Sequence, residues 1–138
     1  LQVIRDQLDQ IDALTDAAAK AAADRAPQVR ENLTRALQRV IEDAADMDEQ
    51  RLAQELALLA VKSDVTEEID RLAAHVTAAR DLLKMDKPAG RKLDFLAQEF
   101  NREANTLCAK AQDQALTAIG LDLKAVIDQM REQIQNVE

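Results

Sequence analysis

Apolar residues recur every three or four positions along almost the whole chain, and few residues interrupt them. That spacing, near 100° per residue, belongs to helices buried on one face. Only two glycines and two prolines stand among the 138 residues, too few turn formers for a protein of many short strands. With two phenylalanines and neither tryptophan nor tyrosine, the core must be aliphatic, and abundant alanine allows helices to approach closely. The expected fold is all-α, a helical bundle with a long antiparallel helical hairpin. A chain of this length buries about two thirds of its unfolded surface, so one core is feasible.

Leu1, Ile4, Leu8, Ile11, Thr15, Ala18 and Ala22 form the first seam. The spacing predicts a coiled-coil-like helix ending near Asp24, before Ala26 and Pro27. Proline suits a first helical turn, so a second helix is expected over 27–44, with Val29, Leu33, Leu37, Val40 and Ile41 inward. Residues 1–46 then read as a hairpin for extension or oligomerisation, and 47–138 as the main helical domain. Asp46 and Glu49 have capping-box spacing before a helix that buries Leu52, Leu56 and Leu59. Asp64 and Glu67 repeat it before a seam of Val65, Ile69, Leu72, Val76, Ala79 and Leu83. Residues 85–90 are the clearest break. A last helix carries Leu116, Ile119, Leu123, Val126, Met130, Ile134 and Val137; whether 110–113 interrupts the path before it stays open.

The helix from Gly90 to Lys110 is the most informative. Leu93, Leu96, Ala97, Phe100, Ala104, Leu107 and Cys108 share one arc. Asp94, Gln98, Asn101, Arg102 and Asn105 form one polar stripe, and Glu99, Glu103, Thr106 and Lys110 a second. Asn and Thr are poor mid-helix residues, and side chains that oppose local preference mark functional sites. Glu99 and Glu103, one turn apart, can hold a divalent cation together with Asp94 or a carboxylate from Glu55, Asp64, Glu67 or Glu68, or they can be an acidic pair on a solvated face. His75, the single histidine, is either a structural residue at the edge of a seam or a general base or metal ligand. Arg102 can grip a phosphate through both arms of its fork or tie neighbouring helices. Asn101, Asn105 and Thr106 can contact RNA or cross-link helices. Lys84, Lys87, Arg91 and Lys92 form the local basic cluster, a backbone-binding patch or an ordinary charged loop. Both phenylalanines read as structural, which leaves no aromatic platform for bases.

A net charge of −8 excludes a surface that binds nucleic acid everywhere and confines any contact to a patch. The lone Cys108 forms no intrachain disulfide and reads as a small core residue, in keeping with a cytoplasmic setting. No apolar run is long enough to cross a membrane.

The run GRKLDFLAQEFNREANTL from Gly90, followed by Lys110 and Asp113, resembles the signature of the YicC family of bacterial endoribonucleases. The C-terminal run IDQMREQIQNVE is similar to that family's end, and RLAQELALLA from Arg51, with DVTEE from Asp64, then Arg71, Leu72 and His75, extends the resemblance across about 50–138. The resemblance implies cleavage of single-stranded RNA in RNA turnover, dependent on a divalent metal, manganese or magnesium. It implies homo-oligomers, ring-shaped hexamers, with RNA and not DNA as partner. Glu99, Arg102, Glu103 and His75 are then the expected catalytic residues; Glu99, Glu103 and Asp94 the metal ligands; Lys84, Lys87, Arg91, Lys92, Asn101, Asn105 and Lys110 the RNA contacts. Family members carry an N-terminal domain, and this chain begins at Leu1 without a methionine, so it is expected to be a fragment. The alternative is a non-catalytic helical oligomerisation and scaffold domain. Convergence of Glu99, Glu103, Arg102 and His75 in one cleft favours catalysis; separate buried salt bridges favour the scaffold.

Overall fold

The computed structural model describes residues 2–43, 49–85 and 87–137, without the side chains at 40, 41, 43, 49, 52, 62 and 137. Five helices account for nearly all of it: α1 (Gln2–Asp43), α2 (Glu49–Ser63), α3 (Thr66–Lys84), α4 (Gly90–Lys110) and α5 (Gln114–Val137). No strand occurs among the described residues, so the all-α expectation holds. The expected start of α2 at Asp46 and Glu49, the 44–48 break, the boundary at 46, and the burial of Leu1, Val40, Ile41, Leu52 and Val137 lie outside the described residues or side chains.

The bundle is built by α1, α3, α4 and α5, with α4 packed most extensively on α5 and α1 on α5 and α3. Its core contains Ile4, Leu8 and Ile11 from α1, Leu72 and Val76 from α3, Phe100 and Leu107 from α4, and Leu123, Ile127 and Met130 from α5. The seam of the first helix is therefore covered within the chain. The sequence reading gave this segment to extension or oligomerisation, and the burial of Ile4, Leu8 and Ile11 at 1% exposure or less takes the seam itself away from self-association. Arg80 of α3 clamps the outer edge of the same contact, donating to Asp9 at 2.7 Å and Asp12 at 3.3 Å on α1. The hydrogen bond to Asp9 holds the Arg80 guanidinium above the ordinary arginine range.

The predicted break at 24–27 is absent: α1 runs through Pro27. An internal proline removes one backbone hydrogen bond and crowds the carbonyl four residues back, at a cost of about 3 kcal/mol. Here Ala23 and Pro27 are both exposed, so the freed carbonyl meets water. Tertiary contacts on either side hold the helix together. Arg25 is buried and donates to the Ser63 carbonyl at the C-terminal end of α2 (2.6 Å), where a cation suits the helix dipole. Val29 and Leu37 are buried further along. Thus the expected hairpin within 1–46 is replaced by one long helix, against whose second half α2 packs. Ser63 beside Arg25 shows that α2 runs back along α1, so the antiparallel pair is α1 with α2.

The chain path at 110–113, open from sequence, is a break. Gln112 adopts a positive φ of 50°, and the Asp113 carboxylate accepts the Leu116 amide at 2.9 Å to cap α5. Gly120 of α5 faces Cys108, and a Cβ there would lie 2.6 Å from the sulfur, so the glycine permits the close approach of α4 and α5. At the start of α3, Asp64 accepts from both the Thr66 amide (2.9 Å) and hydroxyl (2.6 Å). The expected reciprocal box with Glu67 does not form, since the Asp64 amide goes to the Val61 carbonyl and Glu67 pairs with Arg71. The Thr66 hydrogen bonds hold the Asp64 carboxyl below the usual aspartate range.

If tertiary contacts carry α1 past its proline, Pro27→Ala restores a helical hydrogen bond without disturbing packing. We expect a gain of about 2 kcal/mol, the helix-interior cost less the entropy returned to the unfolded chain. Urea denaturation measures it; a loss of stability would show that the proline sets the geometry of the helix.

Candidate functional site

Helices α3 and α4 run antiparallel and meet along a seam that is apolar on one side and charged on the other. On α3, Glu68, Arg71 and His75 fall at positions i, i+3 and i+7, one face of a helix. On α4, Glu99, Glu103 and Lys110 share the facing stripe. Side by side they pair in register. Lys110 Nζ lies 2.8 Å from Glu68 Oε1, and Arg71 Nε donates to Glu103 Oε1 at 2.8 Å. Arg71 also reaches Glu68 at 3.7 Å and Glu67 at 3.4 Å, and Lys110 donates to the Asp64 carbonyl at 3.4 Å. The Glu103 hydrogen bond holds the Arg71 guanidinium above the ordinary arginine range.

At the inner end of this seam, His75, Glu99 and Glu103 come together. One ligand atom from each, an imidazole nitrogen and two carboxylate oxygens, lies within 4.8 Å of the others. Glu103 is buried at 4% exposure, and His75 and Glu99 are half-buried. The His75 ring stands edge-on to Phe100, with centroids 5.7 Å apart at 85°, which fixes its plane against the core. Its Nε2 is buried and has no hydrogen-bond partner among the described residues. An imidazole nitrogen and two carboxylates form a donor set of the kind taken by manganese, zinc or ferrous iron. A buried ring nitrogen with no described partner, beside two carboxylates, is a donor set that fits a divalent metal. Among the described hydrogen bonds, Arg71 joins a cation to the group through Glu103.

Glu103, read as part of a polar stripe, is buried in the α3–α4 contact. Other expected site residues lie elsewhere. Asp94 is drawn away from the group, its carboxylate 3.6 Å from Arg131 of α5 and accepting from Gln98 at 3.3 Å. Arg102 is exposed, and no described ion pair includes its side chain. Adjacent helical residues point about 100° apart, so when Glu103 turns inward Arg102 turns out. Asn105 is exposed and Asn101 half-buried, and the Thr106 hydroxyl bonds the Arg102 carbonyl of its own helix at 3.0 Å, so no described hydrogen bond makes these residues a helix cross-link. Lys110, expected on RNA, is engaged with Glu68. Lys84, Lys87, Arg91 and Lys92 are exposed at one end of the bundle. Cys108 is half-buried and free. Phe95 is 60% exposed, contrary to the structural role expected of it. Arg71 was missed as a site residue; the Glu68, Arg71, His75 spacing on one face was the signal that could have found it. An apolar cleft of about 790 Å³ between α1, α2 and the start of α3 lies apart from the group.

Residues 18–138 match the family described as endoribonuclease YicC-like, C-terminal. The chain belongs to that family. It is 43% identical over 136 residues, 99% of its length and 46% of the relative's, to a probable endoribonuclease YicC of Haemophilus influenzae. It is 42% identical over 109 residues, 79% of its length and 37% of the relative's, to a probable endoribonuclease YicC of Clostridioides difficile. The chain thus spans less than half the length of these curated relatives. Family membership bears out the resemblance of the signature helix, whose inward stripe supplies two of the three clustered side chains. No described helix is long and apolar enough to cross a membrane.

The Glu68 carboxylate is buried at 2% exposure, and one of its oxygens has no hydrogen-bond partner among the described residues. Lys110 at 2.8 Å and Arg71 at 3.7 Å are the cations placed against it. Lys110→Met should lower stability by about 2 kcal/mol, below the roughly 3–5 kcal/mol of a fully buried pair, because Lys110 is part-exposed and Arg71 remains near. Chemical denaturation checks this; an unchanged midpoint would show that Glu68 does not rely on Lys110.

Proposed function

We propose that this chain carries the metal-binding and proton-transferring residues of an endoribonuclease that cleaves single-stranded RNA. The observation that supports it is the convergence of His75, Glu99 and Glu103 on the signature helix and its neighbour. These three residues would hold a divalent ion; of the manganese or magnesium implied by the resemblance, the imidazole in the donor set favours manganese. When bound, such an ion supplies charge stabilisation at phosphoryl oxygens and lowers the pKa of water.

The chain's own residues do the rest. Glu103 is buried and hydrogen-bonded to Arg71, so its orientation is fixed. Glu99, half-buried at the same face, is the carboxylate more open to solvent and to a proton from an attacking hydroxyl. Arg71 is 46% exposed beyond its contact with Glu103, which leaves guanidinium donors for a phosphate oxygen. Arg71 thereby takes the place given to Arg102 in the sequence reading. Lys84, Lys87, Arg91 and Lys92 form an exposed patch for the RNA backbone, with Asn105 exposed further along α4. Assembly as a homo-oligomer, a hexamer in the family resemblance, and a cytoplasmic setting belong to the same proposal.

A second reading rests on the ion pairs themselves. Arg71 with Glu103 and Lys110 with Glu68 cross-link α3 to α4, as a scaffold would require. Parallel measurements separate the two. Glu99→Gln should leave the thermal midpoint within a few degrees and lower manganese-dependent RNA cleavage by about a hundredfold or more. Arg71→Lys should lower it about 10- to 100-fold, as loss of an outer partner of a ligand does. Cleavage is assayed on this chain and on a fusion supplying the remaining length of its relatives. A lowered midpoint with an unchanged rate would reject catalysis and leave the seam as a lock between helices.

A further inference from the structure

The described chain has one exposed aromatic ring, and its neighbours are cations. Phe95 lies on the outer side of α4 at 60% exposure, while Phe100 is fully buried against His75. Single exposed apolar side chains are ordinary and need no explanation. The company of this one is different. Arg91 and Lys92 precede Phe95 by four and three residues, and Arg102 follows by seven, so all three project from the same side of the helix. All three are exposed, and no described ion pair includes any of them. No described ring or cation–π contact covers the Phe95 face. In a chain of net charge −8, three cations without a described ion pair around a bare ring form a local exception.

The position adds direction. Glu99 follows Phe95 by one turn, on the same side, about 6 Å along the axis. A strand lying along α4 would thus pass the basic end of the helix, the ring and the clustered carboxylates in sequence. A ring face takes any base by stacking, and flanking guanidinium and ammonium groups take the phosphates on either side, which is how single strands are held without sequence preference.

We infer that Phe95 is a stacking platform for an unpaired base of single-stranded RNA, flanked by Arg91, Lys92 and Arg102, next to the His75, Glu99 and Glu103 group. This rests on the nuclease reading above and specifies how its substrate is held. Paired bases present no free face to the ring, so the platform selects single strands.

The test uses the chain itself and a labelled oligouridylate, with and without abasic positions, by fluorescence anisotropy at one fixed salt concentration. Phe95→Ala should weaken binding of the base-bearing strand by about 5- to 100-fold and leave the abasic strand unaffected. Phe95→Trp should retain affinity, and because the chain has no other tryptophan and no tyrosine, quenching on binding reports the stack directly. Equal effects on both strands, or none, overturn the platform. Unchanged RNA affinity with a lower sedimentation mass in Phe95→Ala overturns it too, and assigns the ring to a contact between copies. Where the parent chain binds and cleaves but Phe95→Ala matches it, only the platform falls. Where neither the folded parent nor the fusion that supplies the remaining length of its relatives binds RNA, the nuclease reading falls with it.

Discussion

Two carboxylates inside the α3–α4 contact, Glu68 and Glu103, set the terms for the rest of the structure. An isolated buried carboxylate costs several kcal/mol and neutralises unless a cation or hydrogen bonds meet it. Lys110 and Arg71 meet these two from the opposite helix, so α3 and α4 are fixed in register. A shift by one turn would separate both pairs at once. Apolar packing alone is tolerant of such slips; the charged side of the seam is not. That register also places His75 opposite Glu99 and Glu103. The interaction that orders the helices is thus the one that assembles the site.

The long first helix serves the same end from behind. Its N-terminal half fills the space between α3 and α5 with Ile4, Leu8 and Ile11, and Arg80 ties its outer edge. Beyond Pro27 it leaves the four-helix core and supports α2, which Arg25 joins at the α2–α3 junction. The chain therefore has a tightly packed part that holds the clustered residues, and an extension where alanines and an apolar cleft replace dense packing.

How much of this could be read from sequence follows from the range of the interactions. Periodicity located α3, α4, α5 and the break at 85–90, because burial of one helix face leaves a local pattern. It misplaced the end of the first helix, because what carries α1 through Pro27 is a contact 38 residues away, from Arg25 to Ser63. Glu99, Glu103 and His75, singled out from sequence, do come together, two from the unusual stripe of one helix and one as the single histidine. Arg102 and Asp94 were grouped with them by nearness in sequence, but a helix turns such neighbours to different partners. Arg71 was overlooked because its role appears only when the stripes of two helices face each other. Phe95 was read as structural although it stood outside the apolar arc, and its exposure follows from which arc α4 buries.

The central claim is that His75, Glu99 and Glu103 form one divalent-cation site, and the single histidine makes it directly measurable. Imidazole resonances of the isotope-labelled chain can be followed through a manganese titration in the wild-type protein and in Glu99→Gln. The account predicts selective paramagnetic broadening of the His75 signals at substoichiometric metal, with affinity reduced in the variant. His75 signals that stay sharp while manganese broadens only exposed carboxylates would contradict it.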